Sequence, residues 1–196
     1  MNRNIVREVR RSTEKARDRY VTDEEVAAFL PFCGPALQLR IQLLLLTGMR
    51  PGQLRTSWVS DWDGNGLRIK PAKGGRTVRY IGPELDSVVK EAIALRTGKA
   101  SRSAYLFPNR SGNAYTPDGW QTVWQRAMKA YGDAGNERFQ ERDLRAKVAS
   151  DSQSLMDAHA RLGHQNTATT KRVYVRGVQD VPTLSPASLI DENTKE

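Results

Sequence analysis

The sequence predicts a mainly α-helical fold with one small antiparallel β-sheet (an α+β fold), and three observations support this. Amphipathic or apolar helical patterns recur along most of the chain, separated by short stretches that contain glycine or proline. Only Leu67–Ile69 and Val78–Tyr80 alternate apolar and basic residues, as short β-strands do. Of the 196 residues, 38% are hydrophobic and 27% are charged, which suits a soluble protein with one substantial core.

The first two predicted helices have clear boundaries. Thr22 and Glu25 have the spacing of a capping box, so a helix is expected to begin after Thr22. The next helix, over residues 36–47, is apolar on most sides and should therefore be buried. Gly48 ends this helix, which places Arg50 at the edge of the predicted core.

The remaining helices follow from apolar periodicity and from capping residues. Thr116 and Pro117 open one of them, because threonine is a good N-cap and proline fits the first turn. Gly163 suits the C-terminal cap of another. Helices are expected around residues 85–96, from 117, from about 142, around 155–162 and over 169–174.

The two predicted strands form a hairpin. Lys73, Gly74 and Gly75 lie between them, so Lys73 is expected near the tip of the hairpin.

The charge of the chain favours a polyanionic partner. There are 31 lysines and arginines against 22 aspartates and glutamates, a net charge of +9. The last sixteen residues are net acidic, so the rest of the chain is more basic still. Such a body suits nucleic acid, because cations that neutralise phosphates release condensed counterions. The alternative is a solvated basic surface without a partner.

Two classes of protein are disfavoured by composition. The longest aliphatic run, Leu43–Leu46, is far too short to cross a bilayer, and the basic N-terminus does not resemble a secretory signal. Cys33 is the only cysteine, so neither an internal disulfide nor a cysteine-rich zinc site is expected. We therefore expect a cytoplasmic protein.

Several short motifs stand in a distinctive order along the chain. They are Leu46-Thr47-Gly48-Met49-Arg50, Leu106-Phe107-Pro108, Asp143-Leu144-Arg145, and Leu162-Gly163-His164 with Tyr174 ten residues after the histidine. Each is weak alone, but together, on matching elements and with Lys73 between the two arginine motifs, they resemble the tyrosine recombinases, the phage-type integrases. The resemblance runs from about Tyr20 to Arg176. It implies a nucleoid-associated protein of a bacterial, phage or mobile-element host.

The resemblance implies a chemistry for these residues. Tyr174 would attack the phosphorus and form a 3′-phosphotyrosyl bond, while Arg50, Arg145 and His164 bind the phosphate. Forked guanidinium donors suit nonbridging phosphate oxygens. Lys73 would protonate the leaving 5′ oxygen. Because the covalent bond stores the energy for rejoining, no cofactor and no metal are expected.

Each assignment has a structural alternative. A buried arginine often pairs with a carboxylate, and Asp61 or Glu141 could fill that role for Arg50. Lys70 competes with Lys73, and His164 could be a helix-end residue. The tyrosines expected to be packing residues are Tyr80, Tyr105, Tyr115 and Tyr131, and His159 is expected to be structural or at the surface. Likewise, Trp58, Trp62, Trp120 and Trp124 are expected in the core or packed on the DNA backbone.

The sequence departs from the family pattern at two positions. Arg142 stands where the second motif usually has histidine, and guanidinium cannot act as a base near neutral pH. It could still stabilise tyrosinate through its charge. Gln53 stands where a glutamate usually helps to orient the first arginine, and it offers an acceptor without charge.

The expected organisation is a basic interdomain linker or arm at 1–20, a catalytic domain at 21–180 and a tail at 181–196. The N-terminal core-binding domain of the family is expected to be absent from this chain. The expected partner is double-stranded DNA, bound as a homotetramer, with a monomer allowed for this fragment alone.

The leading hypothesis is therefore site-specific recombination or integration of DNA. The alternative, motivated by Arg142, is a catalytically impaired DNA-binding protein derived from a recombinase. A metal-dependent nuclease is disfavoured, since no tight cluster of Asp, Glu and His with ligand-like spacing occurs.

Overall fold

The computed structural model describes residues 18–70 and 77–163, and it confirms the predicted mainly helical fold with one antiparallel sheet. In chain order the helices are α1 (Asp23–Phe29), α2 (Pro35–Thr47), α3 (Pro51–Arg55), α4 (Pro83–Ala94), α5 (Pro117–Asp133), α6 (Glu141–Ser150) and α7 (Leu155–Leu162). The strands are β1 (Leu67–Ile69) and β2 (Val78–Tyr80), and single 3₁₀ turns cover Leu30–Phe32, Val59–Asp61 and Gly98–Arg102.

The predicted boundaries of α1 and α5 are confirmed by their caps. At α1, the Thr22 hydroxyl accepts the Glu25 N–H at 3.2 Å, and the Glu25 carboxylate accepts the Thr22 N–H at 2.9 Å. At α5, the Thr116 hydroxyl accepts the Gly119 N–H at 3.0 Å. These caps satisfy N–H groups that have no acceptor within the helix, which is why local sequence marks them well.

Helix α2 runs through the centre of the core, as its apolar sequence predicts, and packs against α4 and α6. Its buried apolar residues are Leu37, Leu39, Ile41, Leu43 and Leu44. Beside it, Phe29 lies at the centre of an aromatic cluster, with ring centroids 5.0 to 5.3 Å from those of Trp124, Tyr131 and Phe139. This core fixes the position of the C-terminal end of α2, where the first arginine motif lies.

The predicted strands pair as an antiparallel hairpin. Leu67 is opposite Tyr80 and Ile69 is opposite Val78. The side chains of Leu67 and Ile69 are buried, whereas Arg68 points to solvent, as the alternating pattern requires. The predicted hairpin tip with Lys73 falls in residues 71–76, outside the described residues.

One helix differs from the sequence expectation. Helix α3 has only five residues and was not predicted; it begins at Pro51, directly after Arg50. Of the tryptophans expected in the core or on the DNA backbone, Trp120 and Trp124 are buried, whereas Trp58 is 50% exposed, with its ring edge-on to Tyr105. A five-residue helix has too few residues to show a period, which explains why it was missed.

Lys147 ties α6 to the start of the described chain. Its side chain is 4% exposed, and its ammonium binds Asp151 at 2.7 Å and Asp23 at 2.8 Å. Burial alone would lower the pKa of Lys147, but hydrogen bonds to these two carboxylates raise it above its usual value. The Tyr20 hydroxyl also donates to Asp151 at 2.6 Å, so this group holds the residues before α1 against α6.

Within the described residues, no helix combines the length and the apolar character that crossing a membrane requires.

Candidate active site

The C-terminal end of α2 forms a tight turn at Gly48. This residue adopts a left-handed conformation with φ of 65°, and its N–H donates to the Leu44 carbonyl at 2.7 Å. A Cβ atom here would lie 2.9 Å from the Val148 side chain and 3.1 Å from that of Leu162. Glycine is therefore required twice, by the turn and by the close approach of α6 and α7.

Arg145 connects its own motif with the first arginine motif and with the Leu162-Gly163-His164 motif, through hydrogen bonds to backbone carbonyls. It lies on α6 and is 3% exposed. Its Nη1 donates to the Gly48 carbonyl, 97 residues away in sequence, and its Nη2 donates to the Leu162 carbonyl at 2.8 Å. A guanidinium has five N–H donors, so these bonds are compatible with binding a phosphate oxygen. Arg145 therefore lies where the two arginine motifs and the Leu162-Gly163-His164 motif meet.

Arg50 is half-buried and lies directly before the five-residue helix α3. Its backbone N–H donates to the Gln53 Oε1 at 2.9 Å, and the Gln53 Nε2 donates to the Lys70 carbonyl at 3.0 Å. The backbone of Arg50 is thus fixed between the helix that follows it and the end of β1.

The carboxylates that could have neutralised Arg50 are engaged elsewhere. Glu141 binds the Arg40 guanidinium at 2.9 Å, and Asp61 accepts the Trp58 backbone N–H at 2.8 Å. Across residues 18–70 and 77–163, no carboxylate forms an ion pair with Arg50. The expected alternative, in which Arg50 forms an ion pair with Asp61 or Glu141, is therefore wrong for the described residues.

Arg142 is exposed on the first turn of α6. It lines an open cleft of about 310 Å³ together with Pro51, Gly52 and Arg55, the residues that follow Arg50. The residues directly after the first arginine motif therefore border one cleft with Arg142, and Arg145 is buried about one helical turn further along α6.

Tyr80 was predicted to be a packing residue, and the structure adds a hydrogen bond. Its hydroxyl donates to the Arg161 carbonyl at 2.6 Å, on the last turn of α7. Burial raises the pKa of Tyr80 to about 12, although the nearby charges of Arg145 and Arg50 act in the opposite direction. Tyr80 therefore remains a protonated donor near neutral pH. No local pattern in the sequence indicated this bond, because its partners are 81 residues apart.

Three predicted site residues, Lys73, His164 and Tyr174, lie outside the described residues. The chain is described up to Gly163, which caps α7 in a left-handed conformation as predicted, directly before His164. Lys70, the competing lysine, is exposed just beyond the end of β1. Of the predicted site residues, the structure therefore describes Arg50, Arg142 and Arg145.

No group of His, Cys, Asp and Glu within residues 18–70 and 77–163 has the arrangement of a metal site. His159, expected to be structural or at the surface, is half-buried on α7. The predicted site residues that the structure describes are cationic: the guanidinium of Arg145 is held by backbone carbonyls, and the backbone N–H of Arg50 is held by the Gln53 amide. Guanidinium groups are suited to binding a phosphate.

Comparison with solved structures shows the same fold in DNA recombinases. A crystal structure of XerA recombinase is 18% identical with a TM-score of 0.66, covering 95% of this chain and 66% of that one. A lambda integrase tetramer bound to a Holliday junction is 17% identical with a TM-score of 0.70, covering 93% and 56%. The Tn1549 transposon integrase in complex with circular intermediate DNA is 16% identical with a TM-score of 0.66, covering 84% and 63%.

These solved chains are longer, and this chain spans between about half and two thirds of their length. A search of curated protein sequences found no significant match. The sequence profile of the phage integrase family matches residues 19–179, which include every motif that carried the resemblance. The chain therefore belongs to the phage integrase family and has the fold of a tyrosine recombinase catalytic domain.

Proposed function

We propose that this chain is the catalytic domain of a tyrosine-type site-specific recombinase, which cuts and rejoins DNA strands through a 3′-phosphotyrosyl intermediate on Tyr174. In this proposal residues 21–180 form the catalytic domain, residues 1–20 a basic interdomain linker or arm and residues 181–196 a tail. Family membership supports site-specific recombination in general terms; the phosphotyrosyl step and the residue roles are the proposal.

The observation that carries the proposal is the pair of bonds made by Arg145. A buried guanidinium that donates to the carbonyls of Gly48 and Leu162 brings together sequence motifs separated by 97 and 17 residues. A helix-packing role alone would not need three separate motifs to meet at one cation. Clustered cations are what a phosphodiester requires, because its transition state gathers negative charge that fixed donors stabilise.

In the proposed reaction the Tyr174 oxygen attacks the phosphorus, the bond from phosphorus to the 5′ oxygen breaks, and Lys73 gives that oxygen a proton. Arg50, Arg145 and His164 bind the nonbridging oxygens. A second 5′-hydroxyl then attacks the phosphotyrosine and releases Tyr174, so the number of phosphodiester bonds is conserved without ATP.

Arg142 is proposed to act through charge. It is exposed on the cleft that begins beside Arg50, where its guanidinium can stabilise a tyrosinate but cannot remove a proton. Loss of the usual histidine therefore changes how the nucleophile is activated. The alternative, a DNA-binding protein with impaired catalysis, predicts that no covalent product forms.

Double-stranded DNA is the proposed substrate, since the chain carries a net charge of +9. One similar structure contains a lambda integrase tetramer on a Holliday junction, and we propose the same stoichiometry for the intact recombination complex. The isolated chain is expected to bind DNA with an affinity that falls steeply as salt concentration rises.

The test is incubation with a nicked half-site, which releases the short 5′-hydroxyl product and traps the cleaved strand, followed by a denaturing gel. The proposal predicts a protein–DNA adduct with the wild-type chain that persists in EDTA, and none with Tyr174→Phe, while DNA binding is retained. Salt-sensitive binding without any adduct would instead establish the impaired DNA-binding alternative. A strict need for magnesium would contradict the mechanism.

A second substrate separates the two lysines. When sulfur replaces the bridging 5′ oxygen, the leaving thiolate needs no proton, so loss of the proton donor should matter little. Lys73→Ala should be defective on the oxygen substrate and recover on the sulfur substrate, with Lys70→Ala near wild type on both. Recovery seen only with Lys70→Ala would transfer the role to Lys70.

A further inference from the structure

Another open cleft, of about 410 Å³, lies between α2, the end of α4 and the segment that leads to α5. None of the residues that line it also lines the cleft of Arg142, and Arg50 and Arg145 are not among them. Its volume lies within the range of small-molecule sites, which is about 300 to 1000 Å³. It is therefore a candidate ligand site separate from the described residues that are proposed to act on DNA.

The floor of this cleft is apolar, and its outer wall is held by hydrogen bonds. The Ser103 hydroxyl donates to the Gly112 carbonyl at 2.7 Å, and the Asn109 Oδ1 accepts the N–H groups of Ser111 and Asn113 at 2.9 and 3.1 Å. The cleft is thus pre-formed by bonds of the chain itself, as small-molecule sites usually are. The buried apolar side chains of its lining are Leu37, Ala92, Leu106 and Phe107.

The charged side chains that line the cleft are all cationic. They are Arg40, Arg96, Lys99 and Arg110, and no aspartate or glutamate of the described residues is among the lining. Glu141 already neutralises Arg40. The other three form no ion pair within residues 18–70 and 77–163. Their charges are therefore available to an anion.

Arg96 is the most firmly held of these three cations. It is half-buried; its Nε donates to the Ile93 carbonyl at 3.2 Å, and its Nη1 donates to the carbonyls of Ser103 and Tyr105 at 3.0 Å each. Its Nη2 has no acceptor among the described residues. Burial lowers the pKa of Arg96, yet a guanidinium stays protonated in proteins. An anion in the cleft would offset the cost of burying this charge.

We propose that this cleft binds a small amphipathic anion, whose apolar body lies on the floor and whose carboxylate or phosphate binds Arg96, Lys99 and Arg110. A few placed polar groups on a mostly apolar lining are typical of small-molecule sites. A DNA duplex fits less well, because it presents phosphates and has no apolar group to cover the floor. The inference goes beyond the proposed function, since no residue assigned to DNA cleavage takes part.

The experiment is titration calorimetry of the full chain with octanoate, octyl phosphate, octanol and acetate. Octanol keeps the apolar body and acetate keeps the charge, so the two separate these contributions. We expect octanoate or octyl phosphate to bind at least about tenfold more tightly than octanol or acetate. The tighter of the two amphipathic anions identifies the headgroup. Binding no tighter than that of octanol, or no binding, would overturn the inference.

Lys99 and Arg102 form a matched pair of variants on one 3₁₀ turn. Both are exposed and form no ion pair within the described residues, but only Lys99 lines the cleft. Lys99→Gln should weaken binding of the tighter anion about threefold, whereas Arg102→Gln should leave its Kd unchanged. Equal weakening in both variants would mean that surface charge alone attracts the anion, and the inference would be wrong.

Arg96→Gln should weaken the tighter anion about tenfold and leave octanol binding unchanged. Because Arg96 also binds three backbone carbonyls, this variant is paired with one that leaves those bonds intact. Ala36 is exposed in the first turn of α2 and lines the cleft, so Ala36→Phe should fill the cleft without unfolding the chain. It should abolish binding of octanol and of both amphipathic anions, and unchanged binding would overturn the inference.

The last sixteen residues offer a competing occupant, since they are partly apolar and net acidic. A synthetic peptide of residues 181–196 that displaces the tighter anion would assign the cleft to the chain itself and overturn the inference. None of these titrations measures DNA cleavage, so a negative result leaves the proposed function intact.

Discussion

Helix α2 carries one arginine within it and is followed by another, and the two arginines have different partners. Arg40, on the first half of α2, is 3% exposed, binds Glu141 at 2.9 Å and lies with its guanidinium 3.3 Å from the centroid of the Trp120 ring. Arg50 lies just beyond the C-terminal end of α2, and its backbone N–H donates to Gln53. Within the described residues no carboxylate pairs with its guanidinium.

This difference distinguishes an arginine that stabilises the fold from an arginine whose charge can bind a ligand. A carboxylate neutralises Arg40, so the pair can remain buried, at a desolvation cost that the ion pair and the stacking offset. At the other end the backbone is fixed while the charge stays available for an anion. Residue type and burial are therefore poor guides to function here; the partner of the guanidinium is the better one.

The largest expected effect on cleavage comes from removing the available charge. Arg50→Ala should slow single-turnover cleavage of the half-site about 100- to 1000-fold, because one fixed donor to the transition state is lost. The free energy of unfolding should change by less than about 1 kcal/mol, since no buried partner is left behind. A large loss of stability with normal cleavage would mean that Arg50, like Arg40, stabilises the fold and does not act on the substrate.

A second variant disturbs the turn that holds Arg145. Gly48→Ala adds a methyl group 2.9 Å from the Val148 side chain and strains a backbone φ of 65°. We expect a loss of about 2–4 kcal/mol in the free energy of unfolding and cleavage about 10- to 100-fold slower.

Gly64 provides the control for that variant. Its φ is 92°, but no atom lies within 4 Å of the position a Cβ would take. Gly64→Ala should therefore be mildly destabilised by backbone strain alone and cleave normally. Equal slowing in both alanine variants would show that left-handed strain anywhere in the chain is enough, and that the Gly48 turn has no special role.

The exposed arginine of the second motif should have a smaller effect, visible in the pH dependence. Arg142→Ala removes a cation proposed to stabilise the tyrosinate, so cleavage near neutral pH should fall about tenfold and the pH–rate profile should move to higher pH. Arg142→Lys keeps the charge and should keep the profile. An unchanged profile in Arg142→Ala would assign this residue to DNA binding only.

The smallest expected effect on cleavage is that of the buried pair. Arg40→Met leaves Glu141 without its cation and should cost about 3–5 kcal/mol of unfolding free energy, with unchanged cleavage by the folded chain. Burial already raises the pKa of Glu141, and losing Arg40 raises it further. A carboxyl group with a raised folded-state pKa stabilises the fold at low pH and loses that contribution as pH rises.

The deficit of Arg40→Met should therefore be smaller at about pH 5 than at about pH 8 in chemical denaturation. Arg40→Met combined with Glu141→Leu should recover much of the stability and remove the pH dependence. A deficit independent of pH would show that Glu141 is not the group left unpaired.

Sequence patterns predicted the parts of the fold that depend on neighbouring residues. The cap at Thr22 and the turn at Gly48 are local, because the side chain or the missing Cβ acts within one helical turn. Helix α3 was not predicted, since five residues carry no period. The exposure of Trp58 depends on the tertiary surroundings of that ring, which composition does not encode.

For the site, the sequence identified the arginines but not their partners. Motif order predicted Arg50, Arg142 and Arg145 as site residues. In the structure Arg50 follows the end of α2, Arg145 donates to Gly48 there, and Arg142 lines a cleft with Pro51. The carbonyl ligands of Arg145 and the pairing of Arg40 with Glu141 join residues 97 and 101 positions apart. Contacts at that range follow from packing and leave no signal in a single sequence.

The most direct test of the central claim, that Arg50 acts on the charge of a phosphate, uses a half-site with a methylphosphonate at the cleavage position. A methyl group there replaces one nonbridging oxygen and removes the negative charge that Arg50 is proposed to bind. We predict that Arg50→Ala, which should cleave the phosphate substrate about 100- to 1000-fold more slowly than wild type, cleaves the methylphosphonate at a rate within about tenfold of wild type. A defect of the same size on both substrates would contradict it.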